Sequence, residues 1–233
     1  MSDRVRIAWV AEGPTDRIVI EAAIRSMLGG RPFVLHQIQP EQSAAFGRTG
    51  AGWGGVYRWC KGARQRGGGR LSSDALAYFD RDLLILQLDA EVADEVYANA
   101  NIVPDQSDGT LPCARHCPPP SDTTDSLRTV LLGWCGETAV PPQTVVCTPS
   151  KDMETWVVAA VFPDDFLMKS GNPECWAKPE RRLGQQPKSR RFRKCERDYK
   201  ARTAAFAEAW PRVCGLGQAA RFRDDVLSII APD

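Results

Sequence analysis

The segment Leu83–Leu88 is apolar at every position except Gln87. An apolar run of this length, without the alternation of a half-exposed strand, is typical of a parallel strand that is covered on both faces. Residues 5–10 and 33–38 have the composition of two further strands, and the segment between them has the apolar spacing of a helix. A strand, a helix and a strand in this order favour a right-handed parallel crossover. We therefore expect an α/β fold, with helices on both faces of a parallel sheet.

The rest of the chain is predicted to hold one more strand, several helices and long irregular segments. The strand is expected at 144–147, and the proline-rich segment 101–124 has the composition of a long loop. Helical patterns are found at residues 56–64, 92–100, 125–134, about 152–161, about 190–210 and 218–230. We divide the chain into a domain of residues 1–165 and a basic, mostly helical C-terminal extension of residues 166–233.

The composition is that of an ordinary globular protein. Of the 233 residues, 43% are hydrophobic and 25% are charged, which excludes a largely disordered or fibrous chain. No apolar run approaches the ~20 residues that a membrane-spanning helix requires, and the first residues lack the apolar core of a signal peptide. We therefore expect a cytoplasmic protein with no membrane partner. The eight cysteines are then expected to be reduced thiols, and the segment 113–117 lacks the usual spacing of a zinc site.

Carboxylates follow two of the expected strands. Glu12 comes after the first strand, ahead of a Gly-Pro turn, and Asp89 and Glu91 come after the most apolar strand. Ligands of open parallel sheets bind outside the carboxyl ends of the strands. Residues two apart on an extended segment point to the same side, about 6–7 Å apart, so Asp89 and Glu91 can converge on a space that Glu12 faces. A hard divalent cation, Mg²⁺ or Mn²⁺, relieves the repulsion of such a group, although acids at strand ends are also common as solvated caps.

Two short motifs at these strand ends resemble those of the Toprim domain. Glu12, Gly13 and Asp16 match its first motif, a strand-end Glu followed by Gly with an acid four residues on. Asp89 matches the start of its second motif, Asp-x-Asp, but Glu91 stands where the family has Asp. Three further features are the run Glu-Gly-Pro-Thr-Asp at 12–16, Asp82-Leu83-Leu84 leading to Asp89, and Glu154-Thr155-Trp156 at an expected helix start. In these the chain resembles more closely the small Toprim-domain proteins of bacterial defence loci, which are related to OLD-family nucleases and DnaG-type primases.

The resemblance covers roughly residues 1–165 and implies a Toprim-like, Rossmann-like sheet. It also implies a Mg²⁺-dependent nuclease that cleaves nucleic-acid phosphodiesters in a bacterial defence system, with an ATPase as partner protein. Glu12, Asp89 and Glu91 are then the catalytic residues and metal ligands, with Glu12 alternatively a general base or acid. Glu91 departs from the family by one methylene, which favours the alternative of a non-catalytic nucleic-acid-binding or regulatory subunit of an ATPase complex. Nucleotidyl transfer is a third possibility, for which the chain is short.

Asp16, Lys151 and Glu154 are candidate accessory residues of the same site. The segment 149–154 follows the last recognisable strand and so opens at the same edge of the sheet. There, Glu154 can add a carboxylate near the metal and Lys151 can meet a phosphate. For Asp152 and Glu154 we favour the interpretation as helix caps, because acids in a first helical turn suit the helix dipole.

Two basic segments are candidate nucleic-acid contacts. Arg58 and Arg66 lie in the segment 47–70, which carries nine of the nineteen glycines, and they can contact a phosphate backbone or belong to a solvated loop. Residues 178–202 hold eleven basic and three acidic side chains, although the net charge of the chain is only +1. Four of these cations are predicted to bind nucleic acid, on the extension and apart from the carboxylates: Arg190, Arg191, Arg193 and Lys194. A solvated helix face, or docking on an acidic protein partner, is the alternative.

Overall fold

The fold is built on a four-stranded sheet in which all strands are parallel. This structure, a computed structural model, describes residues 4–41, 49–188, 190–191 and 193–230. The strands are β1 (Val5–Val10), β2 (Phe33–Gln39), β3 (Leu83–Gln87) and β4 (Thr144–Cys147), in the spatial order β2-β1-β3-β4. Because β2 and β3 lie on opposite sides of β1, the strand order reverses between β1 and β3. The predicted α/β fold with a parallel, Rossmann-like sheet is confirmed.

Helices cover both faces of this sheet. In chain order they are α1 (Pro14–Met27), α2 (Gly52–Arg66), α3 (Ala75–Tyr78), α4 (Pro120–Cys135), α5 (Glu154–Val161), α6 (Phe166–Lys169), α7 (Glu180–Gln185), α8 (Glu196–Lys200), α9 (Thr203–Val213) and α10 (Gly217–Ile230). The core on one face is formed with α1, α5, α9 and α10, and the core on the other with α2 and α4. None of the helices in the described ranges combines the length and apolarity that crossing a membrane requires.

The two inner strands are buried on both sides, as the apolar run at 83–88 predicts. Side chains alternate along a strand, so neighbouring residues belong to different cores. Trp9 of β1 and Ile85 of β3 lie in the core that includes α1, whereas Val10 and Leu86 lie in the core that includes α2. All four side chains are fully buried. Each such side chain contributes about 1.5–3 kcal/mol to folding, so both faces hold the sheet in place.

The turn from β1 into α1 is determined by its local sequence. Gly13 is the N-cap in extended conformation, and Pro14 takes the first helical position, where a missing N–H has no cost. The side chain of Asp16 accepts a hydrogen bond from the Gly13 N–H at 3.2 Å. The first turn of α2 lies against this segment, since the Gly52 N–H donates to the Glu12 carbonyl at 3.0 Å. The acids of this turn are therefore held at the carboxyl edge of the sheet.

The C-terminal extension shares a hydrophobic core with the sheet. Trp156 of α5 packs edge-on against Trp210 of α9, with ring centroids 5.4 Å apart, and its centroid lies 5.8 Å from that of Phe222 in α10. The prediction of a single helix over about 190–210 is wrong. The structure has two helices there, α8 and α9, and Arg202 between them lies outside helical geometry. The domain boundary near residue 165 stays a prediction.

Two other helix predictions need correction. Residues 92–100 do not form one helix but two 3₁₀ turns, Ala90–Asp94 and Tyr97–Ala100, with extended backbone between them. Helix α4 begins at Pro120, before the predicted start, because proline at a first helical position needs no N–H acceptor. The predicted loop is correspondingly shorter at its C-terminal end.

Cys117 and Cys175 form a disulfide, so the prediction of reduced thiols is wrong for this pair. The two residues are 58 apart in the sequence, and their Cα atoms are 5.6 Å apart. Spacing cannot reveal this pair, because the loop before α4 meets the segment after α6 only in the folded chain. The other six cysteines are free thiols.

Candidate functional site

Glu12 and Asp89 are in contact at the carboxyl edge of the sheet. They follow β1 and β3, the strands between which the strand order reverses. The Asp89 N–H donates to Oε1 of Glu12 at 2.7 Å, and the Gln87 side-chain amide donates to Oδ1 of Asp89 at 2.8 Å. Asp89 is 5% exposed and Gln87 is fully buried. Hydrogen bonds from the backbone and from a buried amide therefore set the positions of both carboxylates.

The loop after β4 brings two more acids to this edge. It runs beside the segment after β3, since the Ala90 N–H donates to the Pro149 carbonyl at 3.0 Å and the Glu91 N–H donates to the Lys151 carbonyl at 2.7 Å. Helix α5 begins three residues after Lys151, and the side chain of Asp152 accepts a hydrogen bond from the N–H of its first residue, Glu154, at 3.0 Å. The N-cap residue of α5 is Met153, without a side-chain cap hydrogen bond, so helix capping by Asp152 stays a prediction. The same turn lies next to the Glu12 and Asp89 pair.

Glu154 is held by two side chains of the C-terminal extension. The Lys194 ammonium lies 2.8 Å from Oε2 of Glu154, and the Tyr199 hydroxyl donates to Oε1 at 2.6 Å. Glu154 has no exposed surface, and a carboxylate in that position needs such partners. The prediction that the basic segment lies apart from the carboxylates is therefore wrong for Lys194. The extension folds back over the carboxyl edge, a path that charge patterning does not show.

Six acids lie near one another at this edge of the sheet, and we call them the carboxylate cluster: Glu12, Asp16, Asp89, Glu91, Asp152 and Glu154. Burial, the largest cause, raises the pKa of Glu12 to about 8, of Asp16 to about 7 and of Asp152 to about 9. Burial also raises the pKa of Asp89, and the charges of Asp16 and Glu12 add to this. The pKa of Glu91, an exposed residue, is raised by desolvation as well.

Lys194 is the cation that opposes these shifts. Its charge lowers the pKa of Glu12, Asp16 and Asp152 against the larger effect of burial. One ammonium group among six carboxyl groups leaves most of them without a cationic partner in a partly buried space. Carboxylate oxygens in excess are the donor set that a hard divalent cation prefers, so the chemistry of the cluster fits Mg²⁺.

The geometry of the cluster is not that of a complete metal cage. Across the described residues, no three His, Cys, Asp or Glu side chains are arranged to hold a metal ion as they stand. Mg²⁺ does not require such a cage, because it keeps several waters and binds through one or two carboxylates together with substrate phosphates. Glu12 and Asp89 are the two acids of the cluster that follow adjacent strands, and the Glu12 carboxylate lies against the Asp89 backbone. The residues therefore fit the ion in donor chemistry, with part of its coordination left to water and substrate.

Of the predicted accessory residues, Asp16 and Glu154 belong to the carboxylate cluster and Lys151 lies beside it. Lys151 has a left-handed backbone, with φ of 63°, and its ammonium lies 3.6 Å from a carboxylate oxygen of Asp94. Its side chain is thus directed to the 3₁₀ turn after β3. A phosphate contact from Lys151 stays a prediction.

The arginines predicted from the glycine-rich segment contact the protein itself. Arg58 donates to the carbonyls of Thr49 and Ala100, at 3.0 and 2.9 Å. Arg66 donates to the buried carboxylate of Asp74, at 2.7 Å. Both residues lie on α2, which is longer at each end than the predicted helix. These contacts give the two arginines a structural role, and nucleic-acid binding by them stays a prediction.

The three predicted arginines of the extension lie on the surface near the start of α8. The guanidinium of Arg190 lies over the ring of Phe162, 5.3 Å from its centroid, and Nε of Arg191 donates to the Gln186 carbonyl at 3.2 Å. The backbone N–H of Arg193 donates to Asp198 at 3.0 Å. All three are exposed, and so is Lys194, but only the ammonium of Lys194 is shown in contact with an acid of the cluster.

From the sequence, we considered Asp152 only as a helix cap and did not include Tyr199 in the site. Asp152 precedes Glu154 with the same one-residue gap that separates Asp89 from Glu91, and both pairs follow strands. That repeated spacing is a signal from which Asp152 can be added to the cluster. Tyr199 has no such signal, because only the return of the extension brings its hydroxyl to the cluster.

We compared the chain with models of protein families, with curated proteins and with solved structures, and none of the three comparisons found a match. The similarity to the Toprim domain therefore depends on the two motifs and on where they lie in the fold. Both motifs lie at the carboxyl ends of adjacent parallel strands, β1 and β3.

Proposed function

We propose that this chain is a Mg²⁺-dependent, or Mn²⁺-dependent, Toprim-type nuclease that cleaves nucleic-acid phosphodiesters and works with an ATPase partner in a bacterial defence system. The observation that supports this proposal is the contact between Glu12 and Asp89 within a carboxylate cluster of which Asp16, Asp89, Asp152 and Glu154 are buried. Buried carboxylates with strongly raised pKa values are costly to keep, and such groups concentrate at functional sites.

Glu12 and Asp89 would hold the cation, with Glu91 as a further ligand from the same loop. A divalent cation bound there supplies Lewis-acid polarisation of a phosphate ester and a water of lowered pKa. The other contributions come from the chain itself. The amide of Gln87 fixes the carboxylate of Asp89 at 2.8 Å. In the alternative role, in which Glu12 is a general base or acid and not a ligand, a carboxyl with a pKa of about 8 can accept or release a proton near neutral pH.

Lys194 and Tyr199 have a positioning role in this proposal. Their hydrogen bonds to the two oxygens of Glu154 hold that carboxylate in one orientation. The ammonium also balances part of the negative charge, which otherwise repels a phosphate group as it approaches. The basic side chains Arg190, Arg191 and Arg193 lie on the same extension and offer contacts to a phosphate backbone.

The alternative is a non-catalytic subunit that binds nucleic acid or regulates an ATPase. Two observations favour it: the described part of the chain has no ready three-ligand metal group, and Lys194 already neutralises part of the cluster. Titration calorimetry with Mg²⁺ and Mn²⁺ separates the two proposals. A nuclease requires ion binding that Asp89→Asn weakens, whereas a degenerate site shows no heat that depends on this residue.

A cleavage assay tests the activity directly. Purified protein is incubated with single- and double-stranded DNA and RNA, in Mg²⁺, Mn²⁺ or EDTA, with and without the candidate ATPase. Glu12→Gln and Asp89→Asn keep the size of each side chain, so we expect folded proteins with at least about 100-fold lower cleavage. Asp224→Asn, at an exposed position on α10, is the matched control and should cleave as the wild type does. Undiminished cleavage by either site variant would contradict the assignment.

A further inference from the structure

Apart from the carboxylate cluster, the protein has a cleft between α1 and β2, which is an edge strand of the sheet. Its volume is about 430 Å³, and small-molecule sites have volumes of about 300–1,000 Å³. One wall is the segment 32–35 at the start of β2, and the opposite wall is a helical stripe of α1 from Arg17 to Arg25. This stripe of α1 is about 12 Å long along the helix axis. The cleft is lined by none of the six acids of the carboxylate cluster.

The charge of this cleft is strongly positive. Arg4, Arg17, Arg25 and Arg31 line it, and Glu21 is its one acidic lining residue. Four guanidinium groups against one carboxylate leave an excess of three positive charges. Glu21 pairs with Arg25 at 3.1 Å, so part of this positive charge is balanced inside the cleft. A cleft of this charge selects an anion.

Contacts with the protein hold these arginines in place. The guanidinium of Arg25 lies over the Phe33 ring, 5.6 Å from its centroid, and Nη1 of Arg31 donates to the Ile230 carbonyl at 2.8 Å. Nη2 of Arg17 reaches the Leu35 carbonyl at 3.5 Å. Side chains fixed in this way lose less freedom when a ligand binds, which favours affinity.

One donor in the cleft has no partner. Nε of Arg17 is buried, and no atom of the described residues accepts a hydrogen bond from it. Buried donors are satisfied in the large majority of cases, so an unpaired one needs an explanation. Arg17 lines the cleft; its Nε has almost no exposed surface, so an oxyanion bound in the cleft would accept from this N–H after a rotation of the guanidinium group. Guanidinium groups present their N–H donors as a planar fork that matches a phosphate group.

We propose that this cleft binds a phosphate-bearing ligand of nucleotide size, with Arg17 as its central donor. The volume admits a nucleoside monophosphate, and the ring of Phe33 at the start of β2 offers apolar surface for a base or sugar. The cleft is distinct from the carboxylate cluster, so this proposal does not depend on the nuclease activity. The same phosphate chemistry is available from a free nucleotide or from an internal phosphodiester of nucleic acid.

Calorimetric titration of the full chain with AMP in EDTA tests the proposal. EDTA removes divalent cations, so AMP cannot bind to the carboxylate cluster through a metal. We expect saturable binding of one AMP per chain and no binding of adenosine, which has no phosphate. Arg17→Gln should weaken AMP binding by about 10-fold or more. Arg70→Gln, an exposed arginine outside the cleft, is the control of equal charge change and should leave binding unchanged.

Two further measurements keep the test decisive if Arg17→Gln folds poorly. Arg4→Gln changes an exposed residue at the mouth of the cleft and should also weaken AMP binding. In the wild type, the NMR signal of the Arg17 side-chain Nε–H should shift as AMP is added. The proposal is wrong if AMP does not saturate, if adenosine binds equally well, or if both variants bind AMP as the wild type does. Competition by a short oligothymidine without terminal phosphates assigns the site to nucleic-acid backbone, and failure to compete assigns it to a free nucleotide.

Discussion

The ammonium of Lys194 lies 2.8 Å from Oε2 of Glu154, a carboxylate with no exposed surface that is 40 residues away in the sequence. This contact joins the C-terminal extension to the carboxyl edge of the sheet. The candidate site is thus assembled from the ends of β1, β3 and β4 and from the extension, rather than from the sheet domain alone. Any change in the extension that moves Lys194 changes the charge of the cluster.

Replacing Lys194 by Met should destabilise the metal-free protein. Loss of one partner from a buried ion pair costs about 3–5 kcal/mol. Because the Lys194 side chain is 44% exposed, we expect a smaller loss of about 2 kcal/mol in the free energy of unfolding. Urea denaturation in EDTA at neutral pH measures it. Lys200→Met, which removes an exposed partner of Glu196 on α8, should change stability by less than about 0.5 kcal/mol.

The double variant Lys194→Met with Glu154→Gln checks the cause of this loss. Removing the charge of Glu154 removes the buried, unpaired carboxylate that the single variant creates. The double variant should therefore be more stable than additivity of the two single variants predicts. Strict additivity would show that the two side chains are not coupled.

The metal-free protein should lose stability as the pH rises from about 6 to about 9. Glu12, Asp16 and Asp152 have folded-state pKa values of about 8, 7 and 9, all above their ordinary values. A raised pKa contributes stability that is fully present below the unfolded pKa and is lost as the pH rises through the folded pKa. Melting temperatures measured in EDTA across this range test the sign. Glu12→Gln should reduce the pH dependence, and a melting temperature that rises over the range would contradict the prediction.

Removing the disulfide between Cys117 and Cys175 should lower stability substantially. The bond closes a loop of 58 residues, and a loop of that size corresponds to about 4 kcal/mol in the chain-entropy model. We expect the variant with both cysteines changed to Ser, and the wild type in reductant, to unfold at similarly lower urea concentrations. Cys214→Ser, which removes a free thiol, is the control. Equal stability of wild type and double variant would mean that the bond does not form in solution.

Replacing Arg190, Arg191 and Arg193 by Gln should make nucleic-acid binding less dependent on salt. Each phosphate contact on duplex adds about −0.9 to the slope of log affinity against log salt, so the slope should become shallower by up to about 3. Lys194 is left unchanged, because it belongs to the carboxylate cluster. Affinities measured from low to moderate salt give the slope. An unchanged slope, together with loss of binding to an acidic partner, would assign these arginines to protein docking.

The sequence pattern alone was sufficient to predict the parallel sheet and the acids that follow its strands. The apolar run that ends at Leu88 marks a strand buried on both faces, because no other environment tolerates apolar side chains pointing both ways. Parallel strands bring their carboxyl ends to one edge, so the contact between Glu12 and Asp89 follows from where each acid stands after its strand. Asp152 and Glu154 follow β4 in the same way.

Only the tertiary structure decided the remaining features, because each depends on contacts between distant segments. The approach of Lys194 and Tyr199 to Glu154 requires the extension to return across the sheet. The disulfide of Cys117 and Cys175 likewise depends on two loops that meet only after folding. Spacing and charge patterning describe neighbours along the chain. The burial of a carboxylate, and with it the demand for a distant cation, is a property of the packed core.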